Sequence, residues 1–522
     1  MKLNNINLKF SNKVDTKINK IIIPLVIHNN KIDLFNYINN IIKTNKNDFS
    51  KKIIKDIETR IIKDKKDIVS LNMILQTKET YYELIIIVLK VKPKLNDNEL
   101  LDKIRIIGSN ITSNILHNKI QKSNIYLIEN EDEMNNCFLE GFLMRFYRFT
   151  KYKTKDTKEL KKFNIIYKQS NAFKNMFEKT LNNLSSLFLA KDLINEPANK
   201  LTPTMFIKYI TDYIKSNNLK IKSTVLDSDI LKKIGMNLIV SVGEGSVKEN
   251  KSKLLMLYYE GSSKKKSIKK TIFKNIKELD YILIGKGVTF DTGGISLKGD
   301  KNLYEMKYDM TGASIVSNFI CGYAKNKGKQ NILCFVPLAQ NNISNKATIP
   351  GDIITSYSGK TVEIQNTDAE GRLLLADCLA YVNKHFKTQS KHMKVIDIAT
   401  LTGQQESISD KYFGSIITRD EKIVKNVIDA GEYTGEKMVY MPYMTEFEEK
   451  LKSDTADYKN INEKSKSSTL IASAFLGLFI EPKFNWIHFD IAGPSFGYNS
   501  VKDYSVGEGS AFSLRLLFKM ID

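Results

Sequence analysis

Tyr281-Ile282-Leu283-Ile284-Gly285-Lys286-Gly287-Val288-Thr289-Phe290-Asp291-Thr292-Gly293-Gly294 reads as an apolar strand that ends on a lysine held between two glycines. Glycines on either side let the backbone turn while the charged side chain enters a crevice. A dinucleotide fingerprint is the obvious rival, and it fails: the third glycine is missing at its spacing and no helix opens there. No G-x-x-x-x-G-K-[ST] phosphate loop exists either. Outward from this stretch, short apolar segments alternate with helical ones. Leu238–Val242, Leu254–Tyr259, Tyr281–Ile284, Ile332–Pro337, Val395–Ala399 and Trp486–Ile491 are the predicted strands. Such alternation predicts an α/β fold whose mixed, largely parallel central sheet is covered by helices on both faces.

A chain of 522 residues exceeds one compact core, so two domains are expected. Ser170–Leu193 carries Phe173, Met176, Phe177, Leu181, Leu184 and Phe188 near a 3.6-residue period and predicts one long helix. It divides a smaller N-terminal α/β accessory domain (1–169) from a larger α/β domain (201–522), with 170–200 as the linking helix. In the first domain Ile21–Ile27, Ile68–Leu75, Tyr82–Val91 and Asn124–Ile128 read as strands, and Asn135–Tyr147 as a helix. Before residue 190 we find no catalytic cluster. Ser262–Lys277, rich in lysine, reads as an exposed insertion between two strands.

The formal net charge is +22, which invites a nucleic-acid partner. The lysines are nevertheless spread along the chain with Asn and Ile, as in Lys158–Ile166 and Lys215–Lys222, which fits solvated surface better than a dedicated binding face. No specific nucleic acid is expected. No apolar run approaches membrane-spanning length, and Met1–Phe10 lacks the continuous apolar region of a secretory signal, so no membrane is expected and the location is read as cytoplasmic. Cys137, Cys321, Cys334 and Cys378 form no C-x-x-C pair and are expected to be buried free thiols.

Beyond the opening stretch, Lys298 follows, then Asp309 between Tyr308 and Met310, where a buried carboxylate would be costly without a cation. In Asn366-Thr367-Asp368-Ala369-Glu370-Gly371-Arg372, Asp368 and Glu370 are two apart. In an extended loop that spacing puts both on one side, with Arg372. The helix Leu373–His385 comes next, with Leu374, Leu375, Cys378, Leu379 and Val382 as its apolar face. Taken singly, an acid before a helix is a cap, a lysine a solvated charge and a glycine pair a turn. As a set, several acids and two lysines fall near strand ends of one α/β domain, where open sheets place their sites.

The blocks Gly285–Gly294, Met306–Met310 and Asn366–Asp377 resemble the leucyl aminopeptidase, or cytosol aminopeptidase, family. Asn195–Asn199 with Thr202–Pro203, Thr400–Gly403 and Asp490–Gly493 support the likeness. It covers residues 190 to 522 closely, and the N-terminal third only in size and α/β character. The resemblance implies two divalent metal ions per subunit (Zn and/or Mn, Co or Mg): Lys286, Asp291, Asp309 and Glu370 would hold one, and Asp291, Asp368 and Glu370 the other. It further implies metal-assisted hydrolysis of the N-terminal bond of short peptides with a free N-terminus. Lys298 would stabilise the oxyanion, and a bicarbonate held by Arg372 would serve as base. Met306, Thr400, Leu401 and Gly403 would line a pocket for leucine-like residues. A homohexamer is implied too. Two departures stand out: Thr292 replaces the family's usual serine, and Lys464–Ser468 replaces a stretch richer in glycine. The alternatives are a dipeptidase of the same chemistry, acting on Cys-Gly for example, and a non-catalytic hexameric scaffold or nucleic-acid-binding member.

Overall fold

The structure is a computed structural model, which describes residues 2–3, 6–15, 17–28, 51–64, 66–76, 81–91, 96–155, 160–262, 266–268, 276–498 and 501–522. The chain divides into two compact units: residues 1–184 with 502–506, and residues 185–501 with 507–522. The helix Asn171–Asn195 realises the predicted long helix, and the division falls within it. Phe173, Phe177, Leu184 and Phe188 are buried along it, as the 3.6-residue spacing requires.

The first unit holds a seven-stranded sheet in the order Lys2–Leu3, Ile6–Ser11, Lys161–Ile166, Lys122–Tyr126, Lys20–His28, Tyr81–Val91, Ile68–Gln76. Inner pairings are parallel, and the two end pairs are antiparallel. The predicted strands are present with small shifts, and the predicted helix runs over Asp132–Met144. Lys161–Ile166, read above as solvated surface, is a strand whose Phe163, Ile165 and Ile166 are buried. Lysines at its start masked a buried apolar end.

The second unit is built on a nine-stranded mixed sheet. Its order is Met438–Pro442, Gly414–Thr418, Asn485–Asp490, Lys394–Ala399, Tyr281–Gly285, Ile332–Asn341, Lys253–Tyr259, Ile221–Leu226, and Gly287–Asp291 pairs with Ile332–Asn341 as well. The central strands Asn485–Asp490, Lys394–Ala399, Tyr281–Gly285 and Ile332–Asn341 run parallel, so their carboxyl ends lie along one edge. One continuous core fills the space between this sheet and the helices Gly371–His385 and Ser468–Gly477, with Ile282, Ile284, Phe335, Leu374, Cys378 and Phe475 all buried in it. All four cysteines are buried free thiols. Among the described residues, no helix is long and apolar enough to cross a membrane.

One predicted strand is wrong. Leu238–Val242 lies in the short helix Asn237–Val242. Apart from Ser241 the run is apolar, and all five residues are buried, so it has no periodicity to separate helix from strand. What decides is tertiary: the buried Asp377 carboxylate accepts the Ile239 N–H at 3.1 Å near the start of this helix and the Tyr357 N–H at 2.8 Å. Asp377, sited inside Gly371–His385, is therefore a structural acceptor. Of the insertion Ser262–Lys277, Ser267–Ile268 pairs antiparallel with Ile276–Lys277, while residues 263–265 and 269–275 lie outside the described residues.

Candidate active site

The sheet brings the separated blocks to one edge. Tyr281–Gly285 ends at Lys286, Gly287–Asp291 ends on Asp291, and Lys394–Ala399 leads into Thr400. Lys286 is buried, and its ammonium donates to Asp309 Oδ1 at 2.6 Å and to the Thr400 carbonyl at 2.8 Å. It lies 3.0 Å from Glu370 Oε1. A Cβ on Gly371 would come within 2.7 Å of the Lys286 ammonium, so glycine there gives the lysine its room.

Asp291 is fixed by its own turn. Gly293 has φ +87° and Gly294 φ +68°, the left-handed region that suits glycine, and this geometry lets the Gly293 N–H reach Asp291 Oδ1 at 2.9 Å. Asn341 Nδ2 donates to the same oxygen at 2.8 Å. Lys298 is 2.9 Å from Asp291 Oδ2 and also pairs with Asp368. Asp309 accepts from the Thr400 hydroxyl at 2.8 Å.

Residues 366–370 form a turn, not the extended loop expected, with the Ala369 N–H on the Asn366 carbonyl at 3.3 Å. Glu370 has helical backbone angles at the start of Gly371–His385 and makes no capping bond with its side chain, which leaves the carboxylate free for the cleft. Arg372 lies in the first turn of that helix, buried, with Nη1 donating to the Asn460 carbonyl at 2.9 Å. Its Nε has no partner.

Asn460 and Asn341 are the residues that sequence reasoning missed. Asn460 is buried; its Oδ1 accepts the Gln365 N–H at 2.9 Å and its Nδ2 donates to the Asn366 carbonyl at 2.6 Å, so it holds the turn from outside. Asn341 joins Asp291 to the Thr367 carbonyl, the latter at 3.1 Å. In a chain so rich in Asn, Lys and Ile, neither asparagine carries a local signal.

All the predicted ligands, Lys298, Arg372 and the four pocket residues line one cleft of about 190 Å³. Ligand oxygens of Asp291, Asp309 and Glu370 lie within 4.8 Å of one another, and all three residues are buried. Asp368 joins the group through Lys298. The electrostatics are those of a crowded anionic centre. Burial, together with the Glu370 and Asp291 charges, raises the Asp309 carboxyl far above its usual range despite the opposing Lys286. Burial and the charges of Asp291 and Glu370 push Asp368 up to about 7. Burial disfavours the charged form of both lysines, but the surrounding carboxylates outweigh it and hold both ammonium groups above their ordinary range. Burial brings Arg372 down to about 10.

This donor set fits divalent metal ions. Four carboxylates face two ammonium groups, and Asp309 Oδ2 is buried with no hydrogen-bond partner. An oxygen-rich, net-negative pocket is the chemistry that hard or borderline dications satisfy.

Fold and site together define an α/β enzyme with a carboxylate-and-lysine centre on the carboxyl edge of its sheet. Residues 188–518 match the cytosol aminopeptidase family, catalytic domain. A Rickettsia bellii protein named "Probable cytosol aminopeptidase" is 35% identical over 444 residues, covering 82% of this chain and 83% of its own. One of the same name from Alkaliphilus oremlandii is 34% identical over 394 residues, covering 74% of each. The chain belongs to the cytosol aminopeptidase family, and with the family comes the coarse activity, that of a metal-dependent aminopeptidase. The first alignment is longer than residues 190–522 alone could supply, so the likeness reaches into the N-terminal third. In fold, the chain is similar to the bottromycin maturation enzyme BotP in complex with Mn, with a TM-score of 0.77 at 22% identity over 96% of this chain and 98% of that one.

Proposed function

We propose that this chain is a dinuclear metal-dependent aminopeptidase that releases leucine-like N-terminal residues from short peptides. The observation that carries the reading is the buried trio Asp291, Asp309 and Glu370, flanked by Lys286, Lys298 and Asp368 in one cleft. Lys286, as the neutral amine that adjacent dications would favour, would hold one ion together with Asp291, Asp309 and Glu370, and Asp291, Asp368 and Glu370 would hold a second. Bound there, such ions supply Lewis acidity and lower the pKa of water near neutrality. Zn, Mn, Co and Mg all suit these donors.

The chain's own residues do the rest. Relieved of neutralising Asp291 and Asp368, Lys298 presents its ammonium to the developing negative charge on the scissile carbonyl oxygen. Lys286 and the Thr400 hydroxyl hold Asp309 in one orientation. Arg372, buried with an unpartnered Nε, is suited to a small oxyanion, and bicarbonate held there would accept the proton of the attacking water. Met306, Leu401 and Gly403 give the first side chain an apolar slot. A Cβ on Gly403 would meet nothing within 4 Å, so that slot is open. A homohexamer and a cytoplasmic location complete the proposal, the latter supported by the names of the relatives.

The test is hydrolysis of leucine amide by purified chain. Activity is expected to vanish on chelation and return with Mn, Co or Zn. A metal-reconstituted sample inactive on every N-terminal residue would overturn the proposal. In the same assay Lys298→Ala is expected to lower kcat by about a hundredfold to a thousandfold, the usual cost of losing one donor to an oxyanion. Metal content, read by elemental analysis, should be unchanged in that variant. Loss of metal with the lysine would assign Lys298 to the metal site instead.

A further inference from the structure

We infer that Asn341 is a positioning residue of the metal centre: its side-chain amide fixes the aim of Asp291 and the spacing of Asp291 from the turn that carries Asp368 and Glu370. This rests on the dinuclear reading and adds to it a residue that neither touches substrate nor binds metal. Asn341 ends the strand Ile332–Asn341 and is the register partner of Asp291, which ends the parallel strand Gly287–Asp291. The register slips between Val288 and Asp291, the kind of irregularity that re-aims a side chain beside an active site. Backbone bonds secure the pairing. The Thr292 N–H and the Thr292 hydroxyl both donate to the Asn341 carbonyl, at 3.0 and 2.8 Å. Asn341 is itself buried and does not line the cleft.

Its amide nitrogen carries two hydrogens, and each has an acceptor. Nδ2 donates to Asp291 Oδ1 at 2.8 Å, 50 residues away, and to the Thr367 carbonyl at 3.1 Å, 26 residues away. Both partners are acceptors, so an ionised acid or an apolar side chain at 341 would serve neither. The Gly293 N–H takes Asp291 Oδ1 as well, which leaves Oδ2 toward the cleft, where Lys298 lies 2.9 Å away. A neutral donor suits this place. It holds the carboxylate while leaving the full charge for a dication, which a lysine or arginine there would offset. Thr367 cross-braces the same two turns: its hydroxyl donates to the Gly293 carbonyl at 2.6 Å and accepts the Ser296 N–H at 2.8 Å. A Cβ on Gly294 would come 2.8 Å from Asn341 Oδ1 and 2.9 Å from Thr367 Oγ1, so glycine there lets the three segments meet. Hydrogen-bonded partners of this kind orient a ligating carboxylate in advance of the ion.

The test titrates the metal-free, full-length chain with Mn and reads affinity by calorimetry in the wild type, Asn341→Ala, Asn341→Leu and Asn331→Ala. The leucine variant keeps the branched shape and loses both donors. Asn331 is the control: it is also buried, stands just before the other end of the same strand, and donates to the Glu278 carbonyl at 2.9 Å. Both Asn341 variants should bind Mn about tenfold to a hundredfold more weakly, the usual cost of removing a partner that orients a metal ligand. Asn331→Ala should bind it as the wild type does, a contrast that general loosening of the fold would not produce. At saturating Mn the KM for leucine amide should match the wild type, because Asn341 does not line the cleft. Unchanged Mn affinity in a folded Asn341 variant, an equal loss in Asn331→Ala, or a raised KM with Mn affinity intact would each overturn the inference. If the wild type itself takes up no metal, the dinuclear reading fails and this inference falls with it.

Discussion

Replacing Glu370 with glutamine is expected to lower kcat/KM on leucine amide by about a thousandfold or more, the scale of several kcal/mol of transition-state stabilisation supplied by bound metal. The substitution keeps shape and volume and removes one charge. Glu370 is assigned to both metal ions, so the change weakens the whole centre. Folding should hardly notice. Glu370 makes no capping bond at the start of Gly371–His385, and the carboxylate stands among Asp291 and Asp309, whose charges repel it. Lys286 keeps its bonds to Asp309 and to the Thr400 carbonyl. The variant should therefore melt close to the wild type while binding less metal. Full activity in the glutamine variant would contradict the assignment of Glu370 as a ligand.

The largest stability effect is expected at Asp397, which lies behind the site on the strand Lys394–Ala399. Its carboxylate accepts from Trp486 Nε1 at 2.6 Å and meets His488 Nδ1 at 2.5 Å, and all three residues are buried. Asp397 and His488 are register partners across adjacent parallel strands. Asp397→Ala leaves a buried imidazolium without its counter-charge and a buried indole N–H without an acceptor. Breaking one side of such a pair costs about 3–5 kcal/mol. Urea denaturation should read that loss.

The pair also sets a pH dependence. Burial alone would lower the His488 pKa, but Asp397 outweighs it and raises it above the ordinary histidine value. A raised folded-state pKa means that the folded chain holds the proton more tightly. The stabilisation is then complete below the ordinary histidine range, about 6.5, and is lost as pH rises through the folded value. The stability difference between wild type and Asp397→Ala should shrink from pH 6 toward alkaline pH. A difference that grows over that window would mean that His488 is neutral in the folded chain.

Much of this was legible in the sequence because the chemistry is concentrated in short blocks. Lys286 precedes and Asp291 ends the same short strand, Gly287–Asp291, while Asp368, Glu370 and Arg372 share seven residues, and the parallel strands that gather them are apolar runs of ordinary length. What escaped depends on partners far along the chain. The helix at Leu238–Val242 is decided by Asp377, 138 residues from Ile239. The turn at 366–370 is held by Asn460, more than ninety residues on. Lys161–Ile166 begins with charge and ends in a core, so its composition pointed the wrong way. Pattern reasoning reads a residue through its neighbours in sequence, and each of these is governed by a neighbour in space.

Crystals grown with manganese and measured at its absorption edge test the central claim most directly. Two anomalous peaks about 3.5–4 Å apart are expected, one beside Lys286 and Asp309, the other beside Asp368, with Asp291 and Glu370 between them. An active enzyme with no peak among these carboxylates, or with its metal bound elsewhere, would contradict it.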